Sequence, residues 1–463
     1  MRNNRIDNVI LVILIIVIVY FICSYDMFAS KNNVDYNDYS ESNYTNNDNV
    51  INSYVEDNNY YNINNYSEYL NQYDNYVENI ENTYDSYFDD IYHPNNDDPV
   101  QSDTSAQNSI TPEKTDTFFY KYYYNQINSR QQKIYQTLEK GCAEYNSVIK
   151  LDREPISDVT VAAYSLSMDH PELFWISNYN YKVLNNEYVV EISYDIPSGA
   201  RDTSQKIETK VAEILNDMRS KNIYREYDKL RFFYEWIINN TEYGDTADSQ
   251  EITSVFINNV SVCSGYSKAF LYLCQKSGIE CACVAGYTNS NEKHAWNLVK
   301  LDNNYYWVDS TWGDPVFAGE HDKKPNYNYF MVDDSELLKN HQIENKIQML
   351  SSARVDKTFT YPSCSDKSLN YYRQKGCYFD YYSQYAISNY LKNNFKDNIY
   401  SDIELKFSNL SDYNSFIHDF IKKEDAQIYK DIKDVNPYFY GTVYISYETI
   451  ESADYVKITV TLE

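Results

Sequence analysis

Basic residues are scarce in this chain of 463 residues. Lysine and arginine together number 40, against 68 aspartate and glutamate residues, which gives a net charge of -28 at neutral pH. This charge repels nucleic-acid phosphates and anionic lipid surfaces unless basic residues cluster locally, and the sequence contains no such cluster. We therefore expect no nucleic-acid partner.

Glycine and proline are also rare, with 10 of each. Loops that bind phosphate groups through backbone N–H groups are rich in glycine, and the sequence has no loop of this kind. Nucleotide chemistry therefore has no support.

The eight cysteines lack the spacings of a disulfide framework or a zinc site. A chain of this length does not need disulfides to fold, so Cys364 with Cys377 is the one pair worth testing. Cys281 and Cys283 alternate along a candidate strand, whereas structural zinc normally recruits Cys-x-x-Cys elements. We expect no metal and no cofactor.

A long hydrophobic run is missing as well. Uncharged apolar residues extend only from Val9 to Cys23, fewer than the roughly 20 that an untilted membrane-spanning helix needs. Arg2 and Arg5 precede the run, which predicts a cytoplasmic N-terminus and an extracellular remainder. We favour residues 1–30 as a single-pass membrane anchor; the alternative is a cleaved signal peptide and a secreted protein.

Residues 31–112 differ in composition from the rest of the chain. This segment has one basic residue against 16 acidic ones, no glycine, and many Asn, Asp, Ser and Tyr residues. It has too few apolar residues to form a core, so we predict a mostly disordered stalk. Tyr66, Tyr73, Ile80 and Tyr87 keep a heptad spacing, but their neighbours are weak helix formers, which makes a coiled coil the weaker interpretation.

The rest of the chain predicts an α+β fold in two parts. Residues 113–350 contain a helical lead-in and a core of mixed helices and strands, and residues 351–463 form a small C-terminal α+β domain of unknown role. Apolar spacing predicts four early helices, at Phe118–Tyr145, Val159–Met168, Thr203–Lys221 and Tyr227–Asn240. Between the second and third helices it predicts a β-hairpin of the strands Tyr179–Leu184 and Glu187–Tyr194. The C-terminal elements predicted are helices near Tyr382–Phe395 and Asp412–Lys422 and strands Tyr440–Tyr447 and Tyr455–Leu462.

A cysteine begins the next predicted helix, which extends from Cys263 to Gly278. A free thiol is mostly protonated at neutral pH, but the N–H groups and dipole of a first helical turn favour the thiolate. The small residues Ser264 and Gly265 follow, so a substrate carbonyl could approach the backbone, where the N–H of Cys263 would help to hold an oxyanion. A nearby imidazole would complete the activation of Cys263 as a nucleophile.

His294 is the candidate base, and strand pairing connects it to Asp309. Three strands are predicted after the helix, at Cys281–Tyr287, His294–Leu301 and Tyr305–Ser310. If Asp302-Asn303 forms a two-residue turn, residues whose numbers sum to 605 lie opposite each other, and His294 and Asp309 become diagonal neighbours. A four-residue loop would place them directly opposite, and a three-residue loop would put them on different faces. An Asp309–His294 hydrogen bond would fix the tautomer and orient the ring towards Cys263.

The other candidate residues have more ordinary interpretations. Trp296, Trp307 and Trp312 cluster around the predicted triad and could form the wall of a cleft, although core packing explains them equally well. Three other histidines, His321, His341 and His418, show no matched partner in the sequence. Singly, a buried cysteine, a strand histidine and a turn aspartate are usually structural, so the prediction depends on their joint order.

Four stretches of the chain resemble the transglutaminase-like superfamily, particularly its bacterial extracellular members. They are residues 261–270 around the cysteine, 278–286, 294–297 (His-Ala-Trp-Asn) and 307–315. The resemblance extends over about Phe118–Pro315 and implies a papain-like fold with Cys263, His294 and Asp309 as the catalytic triad. It departs from the eukaryotic-type pattern, which has tryptophan in place of Ser264, and no glutamine for the oxyanion hole stands out upstream. Asn258 or Asn259 is the candidate substitute.

These features favour a transglutaminase-like enzyme that takes an acyl group from a protein or peptide substrate onto Cys263 at the cell surface. A primary amine or water could accept the acyl group, because the same three residues serve both reactions. The alternatives are a cysteine peptidase or amidase with the same triad, and a catalytically inactive surface-binding module. The oligomeric state is left open.

Overall fold

The computed structural model describes residues 120–185, 187–314, 324–347, 355, 357–438, 442–450 and 454–462, together with the strand segments 16–17 and 49–51. Apart from these two strand segments, the expected anchor at 1–30 and the stalk at 31–112 with its heptad pattern lie outside the described residues. No helix in the described part of the chain is long and apolar enough to cross a membrane.

The described residues form a mixture of helices and mostly antiparallel strands, which confirms the predicted α+β class. The helices are α1 Ser129–Ala143, α2 Ile156–Asp169, α3 Ala200–Ser220, α4 Glu226–Asn240, α5 Cys263–Lys276, α6 Asp334–Leu337, α7 Tyr371–Gln374, α8 Gln384–Asn398, α9 Leu410–Phe416 and α10 Gln427–Val435. The strands are β1 Ile16–Val17, β2 Asn49–Ile51, β3 Val148–Pro155, β4 Asn178–Leu184, β5 Tyr188–Tyr194, β6 Glu242–Tyr243, β7 Val260–Ser261, β8 Cys281–Thr288, β9 Lys293–Leu301, β10 Asn304–Val308, β11 Phe330–Val332, β12 His341–Ile343, β13 Lys346–Ile347, β14 Lys357–Thr358, β15 Tyr378–Phe379, β16 Ile403–Phe407, β17 Val443–Ile450 and β18 Tyr455–Leu462.

The lead-in before the cysteine contains the predicted hairpin β4–β5. Strand β3, which was not predicted, pairs with β5 at one edge. Helix α1 is shorter than predicted because it starts at a capping box. The Asn128 side chain accepts hydrogen bonds from the backbone of the first turn, and the Gln131 side chain accepts one from the Asn128 N–H. Residues before Asn128 therefore lie outside the helix.

The central sheet has the strand order β11-β10-β9-β8-β12, and all of its pairs are antiparallel. Asn304 lies opposite Leu301 and Val308 opposite Asn297, which is the register that a two-residue turn gives among the three considered. Asp302 and Asn303 have φ angles of 50° and 63°, as a two-residue turn with left-handed residues requires. Helix α5, buried from Cys263 to Cys274, packs beside this sheet as in a papain-like fold.

The C-terminal residues contribute to two apolar clusters. Phe359, Tyr372 and Cys377 belong to the same cluster as the central sheet, whereas Ile387 begins a second cluster that extends to Val460. The second cluster is covered by a sheet that includes β15, β16, β18 and β17 in that order, and by α8, α9 and α10. Strand β16 and helix α10 were not predicted. The domain boundaries drawn from the sequence stay predictions.

Candidate active site

Cys263 is the first residue of α5 and is 4% exposed. The preceding residue, Val262, is extended, and no side chain caps this end of the helix, which leaves the first-turn N–H groups available to an anion. Gly265 is needed in this turn because an added Cβ would lie 2.0 Å from Ser261 Oγ and 2.7 Å from the Ser249 carbonyl oxygen. The cysteine is therefore held on a tightly packed helix end.

His294 and Asp309 form the contact that the strand register predicts. His294 lies near the start of β9, and Asp309 follows the last residue of β10. His294 Nε2 is 2.8 Å from Asp309 Oδ2. The Cys263 thiol also interacts with the His294 ring and contributes to the raised pKa of that histidine. Because Nε2 faces the carboxylate, Nδ1 is the nitrogen available to Cys263.

Asp309 is fully buried and saturated with hydrogen bonds. Its Oδ1 accepts from the backbone N–H groups of Thr311 and Trp312, at 2.9 and 3.1 Å. Its own N–H donates to the Tyr329 carbonyl oxygen at 2.9 Å. These bonds fix the carboxylate so that Oδ2 points at His294.

The charges of the pair reinforce each other. Burial alone would lower the pKa of His294, but the Asp309 carboxylate outweighs burial and raises that pKa to about 10. Burial alone would raise the pKa of Asp309, and its contacts with His294 and His341 hold that pKa far below the usual range instead. The site therefore favours an imidazolium beside a carboxylate at neutral pH.

His341 is a second partner of Asp309, so the expectation that it lacks a matched partner is wrong. It begins β12, is 1% exposed, and places Nε2 3.0 Å from Asp309 Oδ2. Its Nδ1 lies 2.7 Å from Asn340 Oδ1. Of the other two histidines, His418 contacts the neighbouring Asp419 at 2.8 Å, and His321 lies outside the described residues.

Two of the three tryptophans near the site belong to the core, and the third is partly buried beside the two histidines. Trp296 and Trp307 are buried, and Trp307 Nε1 donates to Asp334 at 2.7 Å. Trp312 is only partly buried, and its ring centroid lies 5.6 Å from that of His294 and 4.4 Å from that of His341. Trp312 is thus the tryptophan placed to border a cleft.

The two asparagines considered for the oxyanion hole have other contacts. Asn258 Nδ2 donates to Asp248 at 2.7 Å, and Asn259 ends a π-helical turn in the left-handed conformation. Gln250, which has no place in the sequence predictions, contacts the residue that follows the cysteine. Its carbonyl oxygen accepts a bond of 3.0 Å from Ser264 Oγ, one residue after Cys263, and its side-chain Oε1 is buried. Only the folded loop shows this, because Gln250 carries no local motif.

His294 Nε2, His341 Nε2 and Asp309 Oδ2 lie within 4.8 Å of one another, close enough for a metal ion. Both histidine nitrogens, however, make hydrogen bonds to the same carboxylate oxygen, and these bonds account for the arrangement. None of the seven cysteines in the described part of the chain is in a disulfide, including Cys364 and Cys377.

Residues 212–310 match the family model of the transglutaminase-like superfamily. This match confirms the resemblance found in the motifs, and Cys263, His294 and Asp309 all lie inside the matched segment. The catalytic roles of these three residues stay predictions.

Two curated relatives are kyphoscoliosis peptidases. The protein from Mus musculus is 26% identical over 161 residues, and that from Homo sapiens is 28% identical over 155 residues. These matches cover 30% and 29% of this chain but only 24% and 23% of the relatives. The chain therefore spans less than a quarter of the length of the relatives it matches.

Two solved structures show weaker likeness. A transglutaminase (TGase) crystal structure is 12% identical, with 38% of this chain and 53% of that chain covered and a TM-score of 0.23. A putative cysteine protease from Cytophaga hutchinsonii is 19% identical, with 27% and 52% covered and a TM-score of 0.20. Likeness at this level carries no conclusion about activity.

Proposed function

We propose that this chain, whose residues 212–310 match the transglutaminase-like superfamily, is a cysteine acyltransferase. Its substrate would be a glutamine carboxamide or peptide acyl group of a protein. The observation that carries the proposal is the 2.8 Å contact between His294 Nε2 and Asp309 Oδ2, beside a cysteine at an uncapped helix N-terminus. Nucleophile, base and orienting carboxylate in this arrangement suit acyl transfer.

The reaction needs only residues of this chain. The Cys263 thiolate attacks the carboxamide carbon, while helix-end N–H groups stabilise the oxyanion. The His294 imidazolium then gives its proton to the leaving nitrogen, ammonia departs, and a thioester stays on Cys263. A primary amine next attacks the thioester, His294 takes its proton, and the amide product leaves with the thiolate restored.

Hydrolysis is the second candidate, and the names of the two curated relatives favour it, since both are called peptidases. Water would replace the amine in the second half-reaction, with His294 again accepting the proton. The same triad supports either outcome. The acceptor, rather than the acyl-enzyme, distinguishes the two candidates.

The activated thiol is tested by alkylation. We expect iodoacetamide at near-neutral pH to modify Cys263 faster than the other cysteines, because thiolate and not thiol is the nucleophile. His294→Ala should abolish this preference, and Cys263→Ser should remove the fast phase. Equal rates at all cysteines would contradict the proposal and favour a catalytically inactive surface-binding module.

The acceptor is tested with a glutamine-containing protein and a labelled primary amine. Incorporation of the amine, lost in Cys263→Ser, supports the transferase. Ammonia release without incorporation would eliminate the transferase and leave an amidase, whereas new N-termini would identify a peptidase.

We further propose that the enzyme acts at the cell surface, attached through residues 1–30. The support is the sequence pattern alone, in which Arg2 and Arg5 precede the apolar run. Fractionation without detergent should leave the protein in the membrane pellet. A released protein that lacks the residues before Ser30 would show a cleaved signal peptide instead.

A further inference from the structure

Two histidines converge on one oxygen atom in this site. His294 Nε2 and His341 Nε2 approach Asp309 Oδ2 at 2.8 and 3.0 Å, and the two ring centroids are 5.3 Å apart. His341 reaches the site from β12, which pairs with β8 on the far side of the sheet from β10. The fold thus brings a second donor to the orienting carboxylate.

The surroundings of His341 hold its ring in one orientation. Its Nδ1 faces Asn340 Oδ1 at 2.7 Å, and Asn340 Nδ2 donates to Tyr329 Oη at 3.0 Å. The ring also packs against Trp312 and Trp296, with centroid separations of 4.4 and 4.9 Å. A ring fixed in this way presents Nε2–H to Asp309.

We infer that His341 is a positioning residue that shares Asp309 with His294 and limits how tightly His294 holds its proton. A carboxylate oxygen that accepts two donors attracts each of them less than an oxygen that accepts one. His294 then remains acidic enough to protonate the leaving group. The inference rests on the proposed function, because it assigns His294 that proton transfer.

The chain offers a matched pair of test variants. In His341→Gln the amide nitrogen reaches the place of Nε2 and still donates to Asp309, whereas in His341→Asn it reaches only the place of Nδ1. Both variants put a neutral amide into the same buried position, so unfolding measurements should show similar losses of stability. The contact with Asp309 is what distinguishes them.

The readout is the rate at which Cys263 is alkylated by iodoacetate, compared with iodoacetamide, as a function of pH. The anionic reagent is favoured while His294 is an imidazolium, and its advantage is lost as that ring deprotonates. Among the described residues, the titratable groups in contact with the His294 ring are Cys263, Asp309 and His341, and Tyr329 packs against the His341 ring; of these, only His341 itself is changed in the variants.

We expect His341→Asn to move the alkaline midpoint of this advantage upward by about one pH unit, and His341→Gln to keep the wild-type midpoint. An unchanged or lower midpoint in His341→Asn, or equal shifts in both variants, would overturn the role of His341. A wild-type protein without any preference for the anion would instead refute the thiolate–imidazolium pair, and with it the proposed function.

Discussion

Asp309 is the residue on which the local electrostatics depend. It is fully buried and hydrogen-bonded to two backbone N–H groups and two imidazoles. A buried carboxylate without such partners would take up a proton. These contacts keep it ionised, and the ionised form in turn holds the proton on His294.

This pair predicts a pH dependence of stability. The pKa of His294 is raised from 6.5 to about 10, so its contribution is complete below pH 6.5 and is lost as pH rises through about 10. The pKa of Asp309 is lowered from 3.8, so its contribution is complete above pH 3.8 and is lost in stronger acid. The pair therefore stabilises the fold most between these two ordinary values.

Replacing Asp309 by Asn in a Cys263→Ala background should reveal this window without titration of the thiol. We expect the stability difference from Cys263→Ala alone to be largest between about pH 4 and 6.5 and to shrink towards pH 10. Thermal unfolding across this range is the measurement. A difference independent of pH would mean that Asp309 contributes through packing alone.

The contacts of some residues in the site can be predicted from the sequence, and those of others cannot. Cys263, His294 and Asp309 lie on neighbouring elements, so local rules place them together. His341 lies 32 residues beyond Asp309 and reaches it through a non-sequential strand pairing. Gln250 meets Ser264 through an irregular loop. No local periodicity encodes such contacts.

Among the elements, the hairpin β9–β10 was predicted from its alternating strands, and its register is that of the two-residue turn, one of three loop lengths that the sequence left open. Alternation along the strands then determines which side chains share a face. The start of α1 was not predictable from apolar spacing, since the pattern continues before Asn128 while the capping box ends the helix there. Capping therefore overrides periodicity at this point.

Gly286 on β8 has no room for a side chain. It lies opposite His294 and pairs with Ile343, and an added Cβ would be 2.1 Å from the Gln342 carbonyl oxygen and 2.5 Å from Trp296. Only a residue without a side chain allows β12 to pair here. The position of His341 depends on that pairing.

We expect Gly286→Ala to lower the free energy of unfolding by about 1–3 kcal/mol, because β12 must move away. The displaced strand carries His341 from Asp309, so the alkaline midpoint of the iodoacetate preference should move upward as in His341→Asn. Gly376→Ala is the control, since its φ of 69° makes alanine strained but no atom lies within 4 Å of the added Cβ. That control should lose stability and keep the wild-type midpoint, and a wild-type midpoint in Gly286→Ala would count against the coupling.

At the scale of the whole molecule, the C-terminal sheet is joined to the central one by a buried ion pair. Lys406 on β16 lies 3.1 Å from Glu336 on α6 and donates to Asn328 at 2.9 Å. Asn328 precedes Tyr329, whose carbonyl accepts the Asp309 N–H. The C-terminal region thus supports the backbone that holds Asp309.

Lys406→Met should therefore destabilise the protein by about 3–5 kcal/mol, because it leaves the Glu336 charge buried without its partner. Lys375→Met is a matched control, since Lys375 is half exposed and pairs with Glu404 at 3.2 Å; we expect a change of about 0–1 kcal/mol there. Denaturant unfolding measures both. Equal losses of unfolding free energy in the two variants would show that burial does not increase the contribution of the Lys406–Glu336 pair.

The four hydrogen bonds to Asp309 also bear on how the reaction moves protons. All four lone pairs of the Asp309 carboxylate already accept hydrogen bonds, so this group accepts no further proton. Asp309 therefore stays ionised during the reaction, and His294 alone transfers a single proton between sulfur and nitrogen. In mixtures of light and heavy water, the acylation rate should fall in a straight line with deuterium content. Curvature would mean that a second proton moves in the transition state.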